Sequence, residues 1–257
     1  MHLRFPARTS LCLALLLTAV VQSAGTDTST LRVEPNPVAV GTFFHGGTVH
    51  VSGALEPGMD VVVVIAGRTT KEAFNRKGRV GPFWATVGKV TIADVPVLYL
   101  IGSRTPVARL LSQAAIDAHM ADLDALVRRA TVEPASDDRA LLVREYLELK
   151  REQGVMGVYE NAVRVGGSSR EPSFEATIPW PTAAPVGTYR VVVRYVQNGA
   201  VVREDSRPLD VVYVGLPRVI AHLAFERSLA YGIVGVGVAL GVGLFMGLLF
   251  KKGTARH

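Results

Sequence analysis

The stretch "GTYRVVVRYVQNGAVV", residues 187–202, decides the fold class of this chain. Its side chains alternate between two faces: Tyr189, Val191, Val193 and Tyr195 lie on one, and Arg190, Val192 and Arg194 lie on the other. Such a period of two is typical of a β-strand. Asn198-Gly199 follows, and both residues tolerate the positive φ that a two-residue type I′ turn requires. The stretch therefore predicts an antiparallel hairpin.

Similar signals occur on both sides of this hairpin. "TVHVSG" at 48–53 alternates, "DVVVVIA" at 60–66 and "VLYLI" at 97–101 are apolar on both faces, and Leu209–Val214 adds a further strand. A run that is apolar on both faces favours a central, covered strand. Short strands without a strand-helix alternation favour a mainly β fold, an antiparallel β-sandwich of the immunoglobulin-like kind.

Residues 107–153 change to a helical period. Ile116, Met120, Leu123 and Val127 recur at helical spacing, and Leu142, Tyr146 and Leu149 do so after a break at Glu133-Pro134-Ala135. Apolar residues that recur every three or four positions indicate amphipathic helices. The segment predicts an αα-hairpin inserted into the β-sandwich body, which we place at residues 25–217.

The N-terminal end resembles an export signal. Residues 1–24 begin with Arg4 and Arg8, continue with the apolar run Leu11–Val21, and end in small residues. This is the order of a secretory signal peptide, and the apolar run is too short to span a bilayer. Cleavage after Ser23, Ala24 or Gly25 is equally compatible with the sequence.

The C-terminal end predicts a membrane anchor. Residues 229–250 carry no charge and would extend about 33 Å as a helix, which spans a hydrocarbon core. Residues 218–228 predict a short juxtamembrane helix. The basic residues of the tail at 251–257 favour a cytoplasmic end, so the body would lie in the periplasm and the single span in the inner (plasma) membrane.

The positive net charge of +6 does not come from the body. Residues 25–217 hold 21 basic and 21 acidic side chains, so the excess lies in the two terminal segments. A nucleic-acid-binding domain needs a basic face on its folded part. The charge distribution therefore argues against a nucleic-acid partner.

No catalytic or metal-binding set can be assembled from the sequence. The only cysteine, Cys12, lies in the predicted signal peptide, which leaves the mature chain without thiols. His45 and His50 are five residues apart without a third ligand near them, whereas a metal site needs convergent ligands. We therefore expect no enzyme activity, no cofactor and no metal.

The stretch "FNRKGRVGPFW" at 74–84 is the candidate binding site. From Arg68 to Lys89 there are six cations and one acidic residue, Glu72. Three interpretations remain: a solvated hairpin tip, a cradle for an anion, or a surface for a partner. In the binding interpretations Arg76, Lys77 and Arg79 act by charge, and burial of the ring of Phe83 or Trp84 anchors the loop.

Glycines in the predicted membrane span form two pairs with four-residue spacing, Gly237/Gly241 and Gly243/Gly247. Such pairs allow close approach of a second helix, although glycine is also common in membrane helices generally. These pairs suggest the hypothesis that the span associates with another membrane helix, which includes homo-oligomerisation.

Four ordered phrases resemble the alphaproteobacterial family of putative transmembrane proteins, an uncharacterised family with an exported body and a C-terminal anchor. They are "DVVVVIAG" at 60–67, "RKGRVGPFW" at 76–84, "VPVLYLIGSRTP" at 95–106 and "FEATIPWPTAAPVGTYRVVVRYVQNGAVV" at 174–202. The resemblance covers about residues 30–250.

The resemblance implies two sets of positions. The family's basic-glycine-tryptophan stretch is matched by Arg76, Lys77, Gly78, Arg79 and Trp84. Its Ser-Arg-Pro turn is matched by Ser103, Arg104 and Pro106. The second match adds Arg104 to the candidate surface. The family carries no known activity, and the resemblance implies an accessory role beside a sulfite-exporter-type permease. We expect a non-catalytic interaction or accessory subunit of a membrane complex. The alternative is an anion-binding accessory of a transporter, for example one for a sulfur oxyanion.

The predicted topology can be tested with fusions to alkaline phosphatase, which is active in the periplasm. A fusion after Val214 is expected to be active, and a fusion after His257 is expected to be inactive, because the span separates the two positions. Activity at both positions would contradict a single span.

Overall fold

The computed structural model of the chain describes residues 31–135, 138–168 and 172–251. The predicted signal peptide at 1–24 and residues 252–257 of the predicted tail lie outside the described residues. The strands are β1 (Arg32–Glu34), β2 (Val38–Val40), β3 (Gly47–Ala54), β4 (Asp60–Ala66), β5 (Thr69–Val80), β6 (Phe83–Pro96), β7 (Tyr99–Ser103), β8 (Thr131–Glu133), β9 (Met156–Tyr159), β10 (Val163–Gly167), β11 (Pro172–Trp180), β12 (Gly187–Gln197) and β13 (Ala200–Tyr213). The helices are α1 (Val107–Leu110), α2 (Gln113–His119), α3 (Leu123–Arg129), α4 (Arg139–Glu152), α5 (Leu216–Glu226) and α6 (Ser228–Lys251).

The described strands form three sheets. A four-stranded sheet has the order β1-β3-β11-β10, a six-stranded sheet has the order β2-β13-β12-β4-β7-β9, and a three-stranded sheet has the order β5-β6-β8. Pairing is antiparallel except between β2 and β13 and between β7 and β9. The prediction of a mainly β body with antiparallel sheets and one C-terminal apolar helix is confirmed.

The hairpin that decided the fold class is present as predicted. β12 and β13 pair on either side of Asn198 and Gly199, whose φ values are 51° and 80°. Both residues therefore have the positive φ of a type I′ turn. The face that carries Tyr189 and Tyr195 is buried in a first hydrophobic cluster between the four-stranded and six-stranded sheets.

Strand β4 is buried on both faces, as its apolar run predicted. Val61, Val63 and Ile65 belong to the first cluster, and Val62 and Val64 belong to a second cluster on the other face of the six-stranded sheet. Because successive side chains of a strand point to opposite faces, one strand contributes to both cores.

The segment at 107–153 covers that second face, but it is more divided than the predicted αα-hairpin. It contains α1 to α4 and the strand β8, which pairs with β6. The first predicted helix breaks at Met120, which adopts a left-handed conformation with φ of 50°, and Asp122 then caps α3 by accepting a hydrogen bond from the Leu123 amide. Ile116 and Val127 are nevertheless both buried in the second cluster, which explains why their spacing resembled one helix.

β4 leads into β5, and β6 leads into β7, each through a link of two residues, and the two links bond to each other in the same antiparallel register. The Gly67 amide donates to the Leu98 carbonyl at 2.9 Å, and the Val97 amide donates to the Arg68 carbonyl at 3.0 Å. These bonds join the β4–β7 ladder to the β5–β6 ladder. The result is one long two-stranded ribbon, of which the β5–β6 hairpin is the outer part.

The C-terminal helices begin close to their predicted positions. α5 starts at Leu216 instead of residue 218, directly after Gly215, whose φ of 65° turns the chain out of β13. In α6 the stretch Ser228–Leu248 has a mean hydropathy of 2.1 and none of it is buried, so it is long and apolar enough to cross a membrane.

Tyr189 ties the start of β12 to the preceding loop. Its hydroxyl donates to the Pro185 carbonyl, its ring packs edge-on against Trp180 at 5.0 Å, and the residue is buried. Burial raises the pKa of Tyr189 to about 12, although the nearby charge of Arg68 opposes this, so the phenol is a neutral donor at physiological pH.

Replacement Tyr189→Phe is expected to lower the free energy of unfolding by about 0.5–1.5 kcal/mol, because it removes the partly buried hydrogen bond to the Pro185 carbonyl. Tyr213→Phe, at a position that is 40% exposed, is the matched control and is expected to change it by less than about 0.5 kcal/mol. Chemical denaturation of the full chain in detergent measures both. Equal losses in the two variants would contradict the role of the Tyr189 hydroxyl.

Candidate functional site

The basic stretch at 74–84 forms the tip of the β5–β6 hairpin. Val80 pairs with Phe83 across a turn in which Gly81 has φ of 61°, a value that favours glycine. The stretch is thus a hairpin tip. The side chains on its surface determine whether it can also bind an anion or a partner.

The two faces of the tip differ in chemistry. Directly paired residues share a face, so the pairs Lys77–Thr86 and Arg79–Trp84 lie on one face and Val80–Phe83 lies on the other. A register shift after Arg76 leaves Val87 as an extra residue on β6. A Cβ atom built on Gly78 would lie only 2.7 Å from Val87, which shows that the Val87 side chain covers this glycine on the apolar face.

The apolar side chains of the tip are exposed. The exposed fractions are 56% for Val80, 73% for Phe83, 74% for Trp84 and 51% for Val87. The expectation that the ring of Phe83 or Trp84 anchors the loop by burial is therefore wrong. Both rings lie beyond the part of the hairpin that packs on the body, and no described residue covers them enough to bury them.

The hairpin is instead anchored below its tip by α4. Phe74 packs edge-on against Tyr146 at 5.4 Å, and Glu72 forms an ion pair of 2.9 Å with Lys150. Burial and the neighbouring Glu72 carboxylate raise the pKa of Tyr146, so that its phenol stays neutral. These contacts hold the lower half of the hairpin along the helix.

Each of the three cations of the stretch has a different partner. Arg76 pairs with Asp138 at the start of α4, at 3.3 Å. Lys77 donates to the Thr86 hydroxyl at 3.3 Å, and the Arg79 Nε donates to the Gly81 carbonyl at 3.2 Å. The tip is thus an amphipathic surface with positive charge, whose cations are engaged with separate partners.

Arg104 is not part of this surface. Its guanidinium pairs with Asp60 at 2.8 Å. Asp60 begins β4, and Arg104 follows the end of β7. The hairpin is connected to the opposite ends of these two strands, where Ala66 pairs with Tyr99. The structure therefore separates Arg104 from Arg76, Lys77, Arg79 and Trp84.

A groove of about 480 Å³ between the hairpin and α4 was not foreseen from the sequence. Phe74 and Val90 line it from the hairpin, and Leu141 and Leu149 line it from the helix. Leu142, Tyr146 and Leu149 also line the groove, and their recurrence at helical spacing was the available signal of an apolar stripe. The groove continues the apolar face of the tip towards the helix.

The four glycines of the membrane helix are open to a neighbour. A Cβ atom added at Gly237, Gly241, Gly243 or Gly247 would meet nothing within 4 Å. At about 100° per residue, the two pairs are centred about 120° apart around the helix axis. Each pair therefore presents a separate small-residue face.

Within residues 31–135, 138–168 and 172–251, no group of three or more His, Cys, Asp or Glu residues is placed to hold a metal ion. His50 is close to the hydroxyls of Thr48 and Thr177, and His45 contacts the Phe43 carbonyl. The two rings thus have different neighbours.

The two tryptophans give a direct test of the exposed tip. Trp84→Ala is expected to change the free energy of unfolding by less than about 0.5 kcal/mol, since the ring is already in solvent. Trp180→Ala removes a ring that is 2% exposed and is expected to cost about 3–5 kcal/mol. Chemical denaturation measures both changes. A large loss for Trp84→Ala would show that the ring is packed.

Comparison with known proteins identifies one family. A family model described as "Putative transmembrane protein (Alph_Pro_TM)" matches residues 30–252. No curated protein and no solved structure matches the chain. The family match agrees with the candidate membrane helix at Ser228–Leu248. Since the match spans most of the sequence, the chain belongs to this alphaproteobacterial family of transmembrane proteins.

Proposed function

We propose that the protein is a non-catalytic interaction subunit of a membrane complex, and that the β5–β6 hairpin tip is the surface that binds a membrane-protein partner. The observation that carries this proposal is that four large apolar side chains are exposed at the tip, with Val80, Phe83 and Val87 on its apolar face and Trp84 on its charged face. Exposed apolar patches on folded proteins mark interaction sites, and aromatic and arginine side chains dominate binding energy at interfaces.

The chemistry of the tip indicates the kind of partner surface. Lys77 and Arg79 flank Trp84 on one face, and the other face is apolar. A complementary surface would therefore combine an apolar pocket with acidic side chains at its margin. The charges would chiefly steer association, and burial of the aromatic rings would supply most of the affinity.

The place of the hairpin on the body favours a partner in the same membrane. Gly187, at the start of β12, pairs with β13 shortly before the chain enters α5. Ala66, after which the chain enters the hairpin, lies at this same end of the six-stranded sheet. The base of the hairpin thus lies at the end of the body that faces the membrane helix. A permease in the inner membrane is a partner of the required kind.

The proposed topology is a single pass with the body in the periplasm and the C-terminus in the cytoplasm. Its support is the apolar helix α6 together with the basic residues Lys251, Lys252 and Arg256 that end the chain. Positive charge next to a span favours the cytoplasmic side.

We also propose that the sandwich is immunoglobulin-like, a fold whose many members include binding modules. The strand order β1-β3-β11-β10 corresponds to A-B-E-D, and β13-β12-β4 corresponds to G-F-C. The bond from Tyr189 to Pro185, at the start of the strand that corresponds to F, has the pattern of a tyrosine corner. The long hairpin then extends the connection between C and the next strand.

The alternative function, an anion held by the basic stretch for a transporter, has less support at this site. Arg76 is engaged with Asp138, and Lys77 and Arg79 bond within the hairpin. An oxyanion site requires donors that converge on one position. The interaction role therefore remains the better proposal for the tip.

The tip can be tested by co-purification of tagged full-length protein from native membranes. The variant Trp84→Ala is expected to reduce partner recovery at least about tenfold, and the double variant Lys77→Gln/Arg79→Gln is expected to reduce it less, because its charges chiefly steer association; both variants are expected to fold. The matched control is Arg109→Gln/Arg144→Gln, which removes the same charge at two exposed positions outside the hairpin. Unchanged recovery in both tip variants would contradict the proposal.

Association through the membrane helix is a separate proposal with its own test. Gly237→Ile/Gly241→Ile is expected to reduce co-purification of differently tagged copies or of the partner, because isoleucine is tolerated in lipid but prevents close helix contact. Gly243→Ile/Gly247→Ile makes the same change on the other face and shows which face is used. If neither pair changes recovery, the glycines have no role in association.

A further inference from the structure

An open cleft of about 710 Å³ lies beside the base of the hairpin, at the end of the six-stranded sheet nearest to α5. Its lining includes Arg68, Arg190 and Arg207, together with Thr188 and Ser206. This cleft is separate from the hairpin tip and from the groove along α4.

Strand register brings two of these arginines onto one face of the sheet. Arg190 on β12 pairs with Ala66 on β4 and with Pro208 on β13. Arg68 follows Ala66 by two residues on the same ribbon, so its side chain returns to that face. Gly67 between them faces the first cluster, since a Cβ atom there would lie 2.7 Å from Val97 and 3.0 Å from the Tyr189 ring.

The charges of these two arginines are not neutralised within the described part of the chain, where neither Arg68 nor Arg190 forms an ion pair. Four residues further along β12 the situation is different, since the buried Arg194 pairs with Glu204 at 2.9 Å. The carboxylate nearest to the cleft in the strand register, Asp210, accepts a hydrogen bond from Thr188 at 2.7 Å. Arg68 and Arg190 are both exposed, so an incoming ligand can reach their guanidinium groups.

We propose that the Arg68–Arg190 cleft binds a phosphate-type oxyanion carried by a small organic group. A guanidinium offers parallel N–H donors that match the oxygens of a phosphate, and two such groups on one face provide this twice. The exposed Ser206 hydroxyl adds a neutral donor to the lining. The volume falls in the range of small-molecule sites, which leaves room for more than a bare ion.

The cleft's position allows two sources for this phosphate. From Pro208 the strand β13 continues five residues to Tyr213, roughly 17 Å at the usual rise per residue, before the chain enters α5. A phospholipid headgroup is one source, and a free phosphate or phosphate ester is the other. Both present the same oxyanion to the arginines, so experiment has to separate them.

The test is isothermal titration calorimetry on the full chain in nanodiscs of phosphatidylcholine. One arm titrates inorganic phosphate and glycerol 3-phosphate, and a second titrates soluble dihexanoyl phosphatidylglycerol, with dihexanoyl phosphatidylcholine as its zwitterionic control. The variant Arg68→Gln/Arg190→Gln is compared with Arg109→Gln/Arg144→Gln, which removes equal charge at exposed positions outside the cleft.

The site is supported if binding in either anionic arm weakens at least about 100-fold in the cleft variant and is retained in the charge-matched control. Binding in the first arm identifies a free phosphate or its ester, and binding in the second arm alone identifies a lipid headgroup. No saturable binding in either arm, or equal loss in both variants, overturns the proposal. Circular dichroism confirms that both variants remain folded, and single Arg68→Lys and Arg190→Lys variants provide the comparison if one double variant does not fold.

Discussion

The burial of β4 on both faces is the constraint on which the rest of the body depends. Val61, Val63 and Ile65 pack into the first cluster, while Val62 and Val64 pack into the second. A strand with apolar side chains on both faces is stable only if both faces of its sheet are covered. The four-stranded sheet covers one face, and the segment from α1 to α4 covers the other, which gives the inserted helices a structural purpose.

The same strand also determines where the candidate surfaces lie. Because β4 leads through Gly67 and Arg68 into β5, the hairpin is an extension of the β4–β7 pair, whose central residues are buried. Contacts of Phe74 with Tyr146 and of Glu72 with Lys150 fix its lower half. The tip is then a projecting surface on a fixed base, and the arginine cleft lies beside that base.

Local sequence patterns predicted those features that depend on neighbouring residues. The period of two in β12, the Asn198-Gly199 turn and the two-sided run of β4 each correspond to one strand or turn, and each is present. The break at Met120 was missed because a left-handed residue between two helices leaves the apolar spacing nearly unchanged. The order in which the strands pair within each sheet could not be predicted from periodicity alone.

The candidate sites were harder to predict, since they depend on contacts between distant residues. The ring of Phe83 or Trp84 was expected to be buried, yet both are exposed, because a local pattern does not show which part of a hairpin has a helix packed against it. Arg104 was grouped with the tip by resemblance, whereas register places it at the opposite ends of β4 and β7. Arg68 and Arg190 were not grouped at all, because only strand pairing brings them together.

The central claim is that the hairpin tip is the part of the body that contacts a membrane-protein partner. Site-specific photocrosslinking in native membranes tests it most directly, with benzoylphenylalanine in place of Phe83 and, as a control, in place of Val202, which is 50% exposed near the Asn198-Gly199 turn. We predict a discrete crosslinked product with another membrane protein from position 83 and none from position 202. No product from position 83, or the same product from both positions, would contradict the account.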